Sequence, residues 1–160
     1  VQVGLRSKAF DWVHCFLLNH KDRIGGTLHP EVVFQYNLGQ YYFGIKAYDQ
    51  ALDSISSTYN DPFYKVAASR LEVKIYYKLG SELFESKLTA FKLYIYRLVK
   101  HSVHSDKLLG NHHFVDLLKQ IWRPQTLKNE KRIEKLLQKI EDLEELADRE
   151  WLKEQLEVLR

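Results

Sequence analysis

The side chains best suited to metal or nucleophilic chemistry in this 160-residue chain are seven histidines and one cysteine. His101 and His104 lie three apart, and His112-His113 follow within a dozen residues. A zinc site wants three or four ligands in a tetrahedral cage with a supporting second shell. The chain has no Cys-x-x-Cys, and neither histidine pair sits in a His-Glu-x-x-His string, so these residues are expected to be solvent-facing histidines at helix ends. Cys15 has His14 beside it and His20 five residues on. Neighbours on a helix point about 100° apart and do not face each other, so a thiol–imidazole pair is not expected there. Cys15 reads instead as a small packing residue. Glu144-Glu145 falls in a run of charges, the pattern of a wet helix face. The sequence thus predicts no catalytic residue, no metal and no cofactor.

A sharper pattern is cationic. Arg70, Lys74 and Lys78 follow an i, i+4, i+8 row, which is one line along a helix. Val66, Val73 and Tyr77 flank it on one side, and Leu71, Ile75 and Leu79 on the other. Charges opposite a single apolar stripe mark a solvated face. Charges between two apolar flanks predict a helix wedged between neighbours, with a narrow basic strip left open. The net charge is only +3: residues 1–126 hold 16 Lys+Arg against 11 Asp+Glu, and residues 127–160 hold 8 against 10. An anionic partner is permitted. Aromatic and basic residues interleave from Lys65 to Lys107, but Glu72, Glu82 and Glu85 dilute the field, so nucleic acid is the weaker expectation.

The elements that must position this row are helical. Three prolines and seven glycines in 160 residues favour long helices over turn-rich strands. Residues 5–22 carry Leu5, Ala9, Trp12, Val13 and Phe16 at three- and four-residue steps before Gly25-Gly26. Pro30 opens a helix to Gly44, and the stripe Tyr48, Ala51, Leu52, Ile55, Tyr59 marks a partner over 48–59. Asn60-Asp61-Pro62 is a stop-and-start signal, with Asp61 as cap and Pro62 as first helical residue of 62–79. Gly80-Ser81 turns the chain into a helix over 82–100 with Phe84, Leu88, Phe91, Ile95 and Leu98. A helix over 106–122 is weakened at its start by Gly110-Asn111 and broken by Arg123-Pro124. The charged segment 127–146 aligns Ile133, Leu136, Leu137, Ile140 and Leu143, and Asp148 can cap a last short helix with Trp151, Leu152, Leu156 and Leu159. No apolar run reaches the roughly 20 residues of a membrane span, so no membrane partner is expected. The lone cysteine fits a reducing compartment, the cytoplasm.

A period of 34 residues relates Tyr41 to Ile75, Tyr42 to Tyr76 and Phe43 to Tyr77. Leu38-Gly39, Tyr42, Ala51, Ile55 and, one place early, Pro62 follow the order of the tetratricopeptide (TPR) signature. The chain therefore resembles the TPR family. Asp61-Pro62-Phe63-Tyr64-Lys65, Lys74 to Gly80 and Asp148 to Leu152 also resemble the C-terminal part of longer bacterial TPR-containing proteins. The resemblance implies an all-α, right-handed TPR-like superhelix of roughly seven helices. Its units would span about 30–60 and 62–100 within an array over 1–126, and 127–160 would form a capping helical pair. The second unit departs from the pattern, with Glu72-Val73 in place of Leu-Gly.

The resemblance implies that Gly39 meets a neighbouring helix closely. It also puts Val33, Tyr36, Asn37, Gln40, Phe43, Ala67, Arg70, Lys74, Tyr77 and Lys78 at groove-lining positions. Asn37, Arg70 and Lys74 have the chemistry to clamp a carboxylate. The implied function is a non-catalytic protein-binding scaffold taking an acidic peptide or helix. The alternative is a structural cap of a longer solenoid with no ligand of its own. Oligomeric state is open on these residues. Circular dichroism is expected to be dominated by helix and unchanged by EDTA; loss of helix on chelation would overturn the metal-free reading.

Overall fold

The computed structural model describes residues 1–21, 30–55, 61–101, 105–123 and 127–160. Gly25-Gly26, Tyr59, Asn60, His104 and Pro124, to which the sequence assigns turns, helix ends or chemistry, lie outside the described residues. Among the described residues there are nine α-helices and no strand. They are α1 (Gln2–Arg6), α2 (Phe10–Asn19), α3 (Pro30–Gly44), α4 (Tyr48–Ile55), α5 (Pro62–Leu79), α6 (Phe84–His101), α7 (Ser105–Trp122), α8 (Glu130–Asp142) and α9 (Arg149–Val158). The chain divides into two compact units, Val1–Ser81 and Glu82–Arg160, so the expected boundary at 126 falls inside the second unit.

Among the described residues nine helices stand where roughly seven are expected, in part because α1 and α2 divide the stretch read as one helix. Lys8 takes a left-handed φ of 57°. The Lys8 N–H donates to the Leu5 carbonyl and the Ala9 N–H to the Gly4 carbonyl, closing α1 in a Schellman turn. The Ser7 hydroxyl reinforces it by bonding the Val3 carbonyl at 3.0 Å. Lys46, with φ 64°, ends α3 in the same way: its N–H donates to the Phe43 carbonyl and the Ala47 N–H to the Tyr42 carbonyl. Gly80, with φ 61°, ends α5 at the position where glycine carries no Cβ penalty. The start of α5 is as the sequence predicts: the Asp61 carboxylate accepts from the N–H groups of Phe63 at 2.8 Å and Tyr64 at 3.1 Å, and Pro62 follows.

In the first unit α3 packs against α1, α2, α4 and α5, and α4 packs against α5. One core, on the α1–α2 side, gathers Val13, Leu17, Val33, Phe34 and Tyr41. The other, on the α4–α5 side, gathers Tyr36, Ala51, Ile55, Ala67, Ala68, Leu71 and Ile75. Burial on two sides explains why α3 is apolar nearly all round instead of striped. Trp12, expected on the inner stripe of α2, is exposed and stacks on Phe16 with centroids 5.1 Å apart. Gly39 is buried against α4, as the resemblance implies. A Cβ there would lie 2.6 Å from Ile55 Cγ2, 3.4 Å from the Ala51 carbonyl and 3.6 Å from Leu71 Cδ2.

In the second unit α7 packs against α6 and α9, and α8 against α9. Phe84, Leu88, Phe91 and Ile95 of α6 are buried as expected, together with Phe114, Leu117, Leu118 and Ile121 of α7. Gly110-Asn111 does not weaken the start of α7 but lies buried inside it. A Cβ at Gly110 would lie 3.3 Å from the Ala147 nitrogen, so the bare helix surface admits the backbone that joins α8 to α9. The Ala147 N–H donates to the Gly110 carbonyl at 3.0 Å, and His113 Nδ1–H donates to the Glu145 carbonyl at 2.8 Å.

The charged helix α8 buries only Ile133, Leu136 and Ile140. Carbonyls of its last turn and just beyond it are bonded by Arg149, whose guanidinium donates to Ile140, Leu143 and Glu144. Asp148 occupies the N-cap position of α9 with φ 51° and makes no side-chain capping bond, contrary to expectation. Gly39→Leu is expected to lower stability by about 1–3 kcal/mol by overpacking the α3–α4 contact. That loss would come despite the roughly 1 kcal/mol better helix propensity of leucine. A chemical-denaturation midpoint left unchanged or raised would contradict the close approach.

Candidate functional site

The cationic row lies on α5, whose two apolar flanks are largely buried as the sequence predicts: Val66 and Val73 on one side, Leu71 and Ile75 on the other. Leu79, at the end of the second flank, is exposed. The expected open strip is corrected in its middle. Lys74 is only 6% exposed, whereas Arg70 is half-buried and Lys78 is exposed. Lys74 therefore cannot belong to a freely solvated line of charge. Its ammonium sits 5.0 Å from the centroid of the Phe43 ring of α3. The negative face of an aromatic ring attracts a cation and offsets part of its lost hydration, while the methylene stem packs as apolar surface.

Several groove-lining positions implied by the resemblance are core instead. Val33 belongs to the α1–α2 side of α3, whereas Tyr36 and Ala67 belong to the α4–α5 side, so they do not line one surface. Two of the polar residues on α3 bond within their own helix. Asn37 Nδ2 donates to the Val33 carbonyl at 2.7 Å, and Gln40 Nε2 donates to the Tyr36 hydroxyl at 2.6 Å. One amide proton of Asn37 is thus committed to the turn behind it, which reduces what it can offer a carboxylate. The structure does bring together Phe43 and Lys74, and it places Tyr36 edge-on to Tyr64 at 5.9 Å. Tyr77 is half-buried on α5, and burial pushes its phenol up to about 12.

Two aromatic residues beside this region, Tyr64 and the Tyr48 expected on the apolar stripe of 48–59, were not assigned to it by the sequence. Tyr64 packs on Tyr36, and Tyr48 tilts against Phe43 with centroids 5.8 Å apart. Burial raises the Tyr48 phenol as well. The signal for Tyr64 is its place three residues before Ala67 and seven before Leu71, on one helical stripe.

Among the described residues no cluster of three or more His, Cys, Asp or Glu could hold a metal ion. His112 and His113 are half-buried inside α7, not at a solvent-facing helix end. His112 Nδ1 lies 3.3 Å from the Asp116 carboxylate, which also pairs with Lys92 at 2.7 Å. Cys15 is exposed, so it is not the packing residue its size suggests. Its flanking rings are engaged elsewhere: His14 stacks on Tyr41 with centroids 5.0 Å apart, and His20 stacks on Phe16 at 4.4 Å. The Tyr41 phenol is raised by burial first and then by Asp11 and the neighbouring Tyr42 and Cys15.

Among the described residues no helix is long and apolar enough to cross a membrane. Comparison with protein-family models, curated proteins and solved structures gives no match.

The raised Tyr77 value has a consequence at high pH. Folding holds the phenol neutral, so its stabilising contribution is complete below the ordinary value of 10.0 and is lost as pH rises toward about 12. Melting temperature measured from pH 9 upward is therefore expected to fall less steeply in Tyr77→Phe than in the parent. Identical slopes, or a phenolate absorbance difference between the two that titrates at the ordinary value, would contradict this.

Proposed function

We propose that this chain is a non-catalytic, TPR-like helical scaffold whose α3–α5 side binds a peptide or helix of acidic character. The observation that carries the reading is the Arg70–Lys74–Lys78 row, half-buried at Arg70, buried at Lys74 and exposed at Lys78, with Phe43 against its centre. A charge held out of water interacts with an opposite charge more strongly than one in bulk solvent. Arg70 supplies a planar fork for a carboxylate and Lys78 a solvated point charge for first encounter. The mutual packing of α3, α4 and α5 supports the repeat reading, because consecutive TPR-like units need the first helices of adjacent units side by side. An exposed lone cysteine fits a cytoplasmic setting.

The burial of Lys74 favours a second reading. A cation 6% exposed also suits an internal role, in which the row closes the protein's own helices as the cap of a longer solenoid.

The test uses an acidic segment identified by affinity capture with the intact protein and then labelled for fluorescence anisotropy. Binding is expected to weaken with salt without vanishing. Arg70→Gln with Lys78→Gln should weaken it about tenfold or more while leaving the melting temperature nearly unchanged. Lys74→Met, which keeps the stem, should weaken binding too. If both variants bind the segment as tightly as the parent, or no acidic segment is captured, the scaffold reading fails. A melting shift confined to Lys74→Met would then assign the row to a structural cap.

A further inference from the structure

The second unit contains a cleft of about 360 Å³ between α6 and α7. Its volume falls within the range typical of small-molecule sites, near the low end. The floor is apolar. Phe84 is fully buried, Leu88 and Val115 are nearly so, and the Trp122 ring tilts against Phe84 with centroids 4.5 Å apart. The rim is cationic, with Lys92 from α6, Lys119 from α7 and Arg123 just beyond it, against a single carboxylate, Glu85.

These charges are not equivalent. Lys92 is already neutralised by Asp116 at 2.7 Å. Lys119 lies on α7 and Arg123 just past its end, four residues on; both are exposed, and neither makes an ion pair among the described residues. The rim therefore carries more positive than negative charge, beside two aromatic rings tilted against each other.

We propose that this cleft binds a small amphipathic carboxylate: an aromatic or branched body seated against Trp122, above the buried Phe84, and a carboxylate reaching Lys119 and Arg123. The two halves of the site select for the two halves of the molecule. Apolar surface leaving water supplies affinity, and charge-assisted bonds from arginine and lysine supply orientation. A compact hydrated anion such as phosphate would leave the apolar floor unused, and a neutral aromatic would leave the cations without a partner. The arrangement was hidden in the sequence because Phe84 and Trp122 are 38 residues apart and no local pattern pairs them.

The test uses 2-naphthoate as probe and 2-naphthamide as its neutral counterpart, with binding followed by calorimetry and by protein NMR shifts in the full chain. Naphthoate is expected to bind about tenfold tighter than the amide, with shifts concentrated on α6 and α7. Lys119→Gln with Arg123→Gln, both at exposed positions, should bring naphthoate down to the level of the amide without moving the melting temperature. Thr89→Trp, which fills the cleft from its rim, should abolish binding of both. The proposal is overturned if naphthoate fails to saturate at millimolar concentration, or if acid and amide bind equally. It is overturned equally if the double variant keeps the parent affinity, or if inorganic phosphate displaces naphthoate as well as unlabelled naphthoate does.

Discussion

The first unit depends on how closely α3 can approach α4. At Gly39 the helix has no side chain, and Ile55 Cγ2 occupies the place a Cβ would take, with the Ala51 carbonyl and Leu71 Cδ2 completing the contact. Three helices thus converge on one residue. Interiors pack at the density of organic crystals, so a contact this short leaves no slack for even one methyl group. Ala51 is fully buried, a second small residue on the facing helix. The glycine costs helix propensity and returns it as burial of Ile55 and Leu71, which the same close approach brings into the core.

From that contact follows the environment of Lys74. Phe43 stands one turn beyond Gly39 on α3, so the tightness of the α3–α4 contact sets where its ring meets α5. The lysine stem crosses apolar surface and its head meets an aromatic face, a combination that lets a cation sit deep in the fold at reduced cost. The second unit uses a different solution at Lys92, where a carboxylate on α7 faces the ammonium directly and His112 shares the same acid. Each device joins two helices through one charge, the first by a ring face and the second by a carboxylate.

The second unit turns on backbone groups more than on side-chain charge. Gly110 opens the surface of α7 to the chain between α8 and α9, and Ala147 and His113 bond across that junction. Arg149 closes the far side by gathering the carbonyls left over at the end of α8. A highly charged helix with few buried residues is held by these bonds as well as by its apolar stripe. Unsatisfied helix ends are costly when removed from water, and one guanidinium has enough donors to serve several of them.

What the sequence alone determined is local. Asp61-Pro62 and Gly80 bound α5 because capping and left-handed turns depend on residues a few positions apart. The stripes of α6, α7 and α8 were legible because helical periodicity reports which side faces a core. Gly39 was legible through its place in a signature. The tertiary structure decided the rest. Lysine can take the left-handed turn at Lys8, so no glycine announces the break between α1 and α2. A cation row reads the same whether its centre is open or covered, and only the ring of Phe43 and the surrounding burial make Lys74 internal. Cys15 and Trp12 have the character of packing residues but face solvent, because nothing described covers that side of α2. Burial is a property of neighbours distant in the chain, and periodicity names a face without naming what, if anything, lies against it.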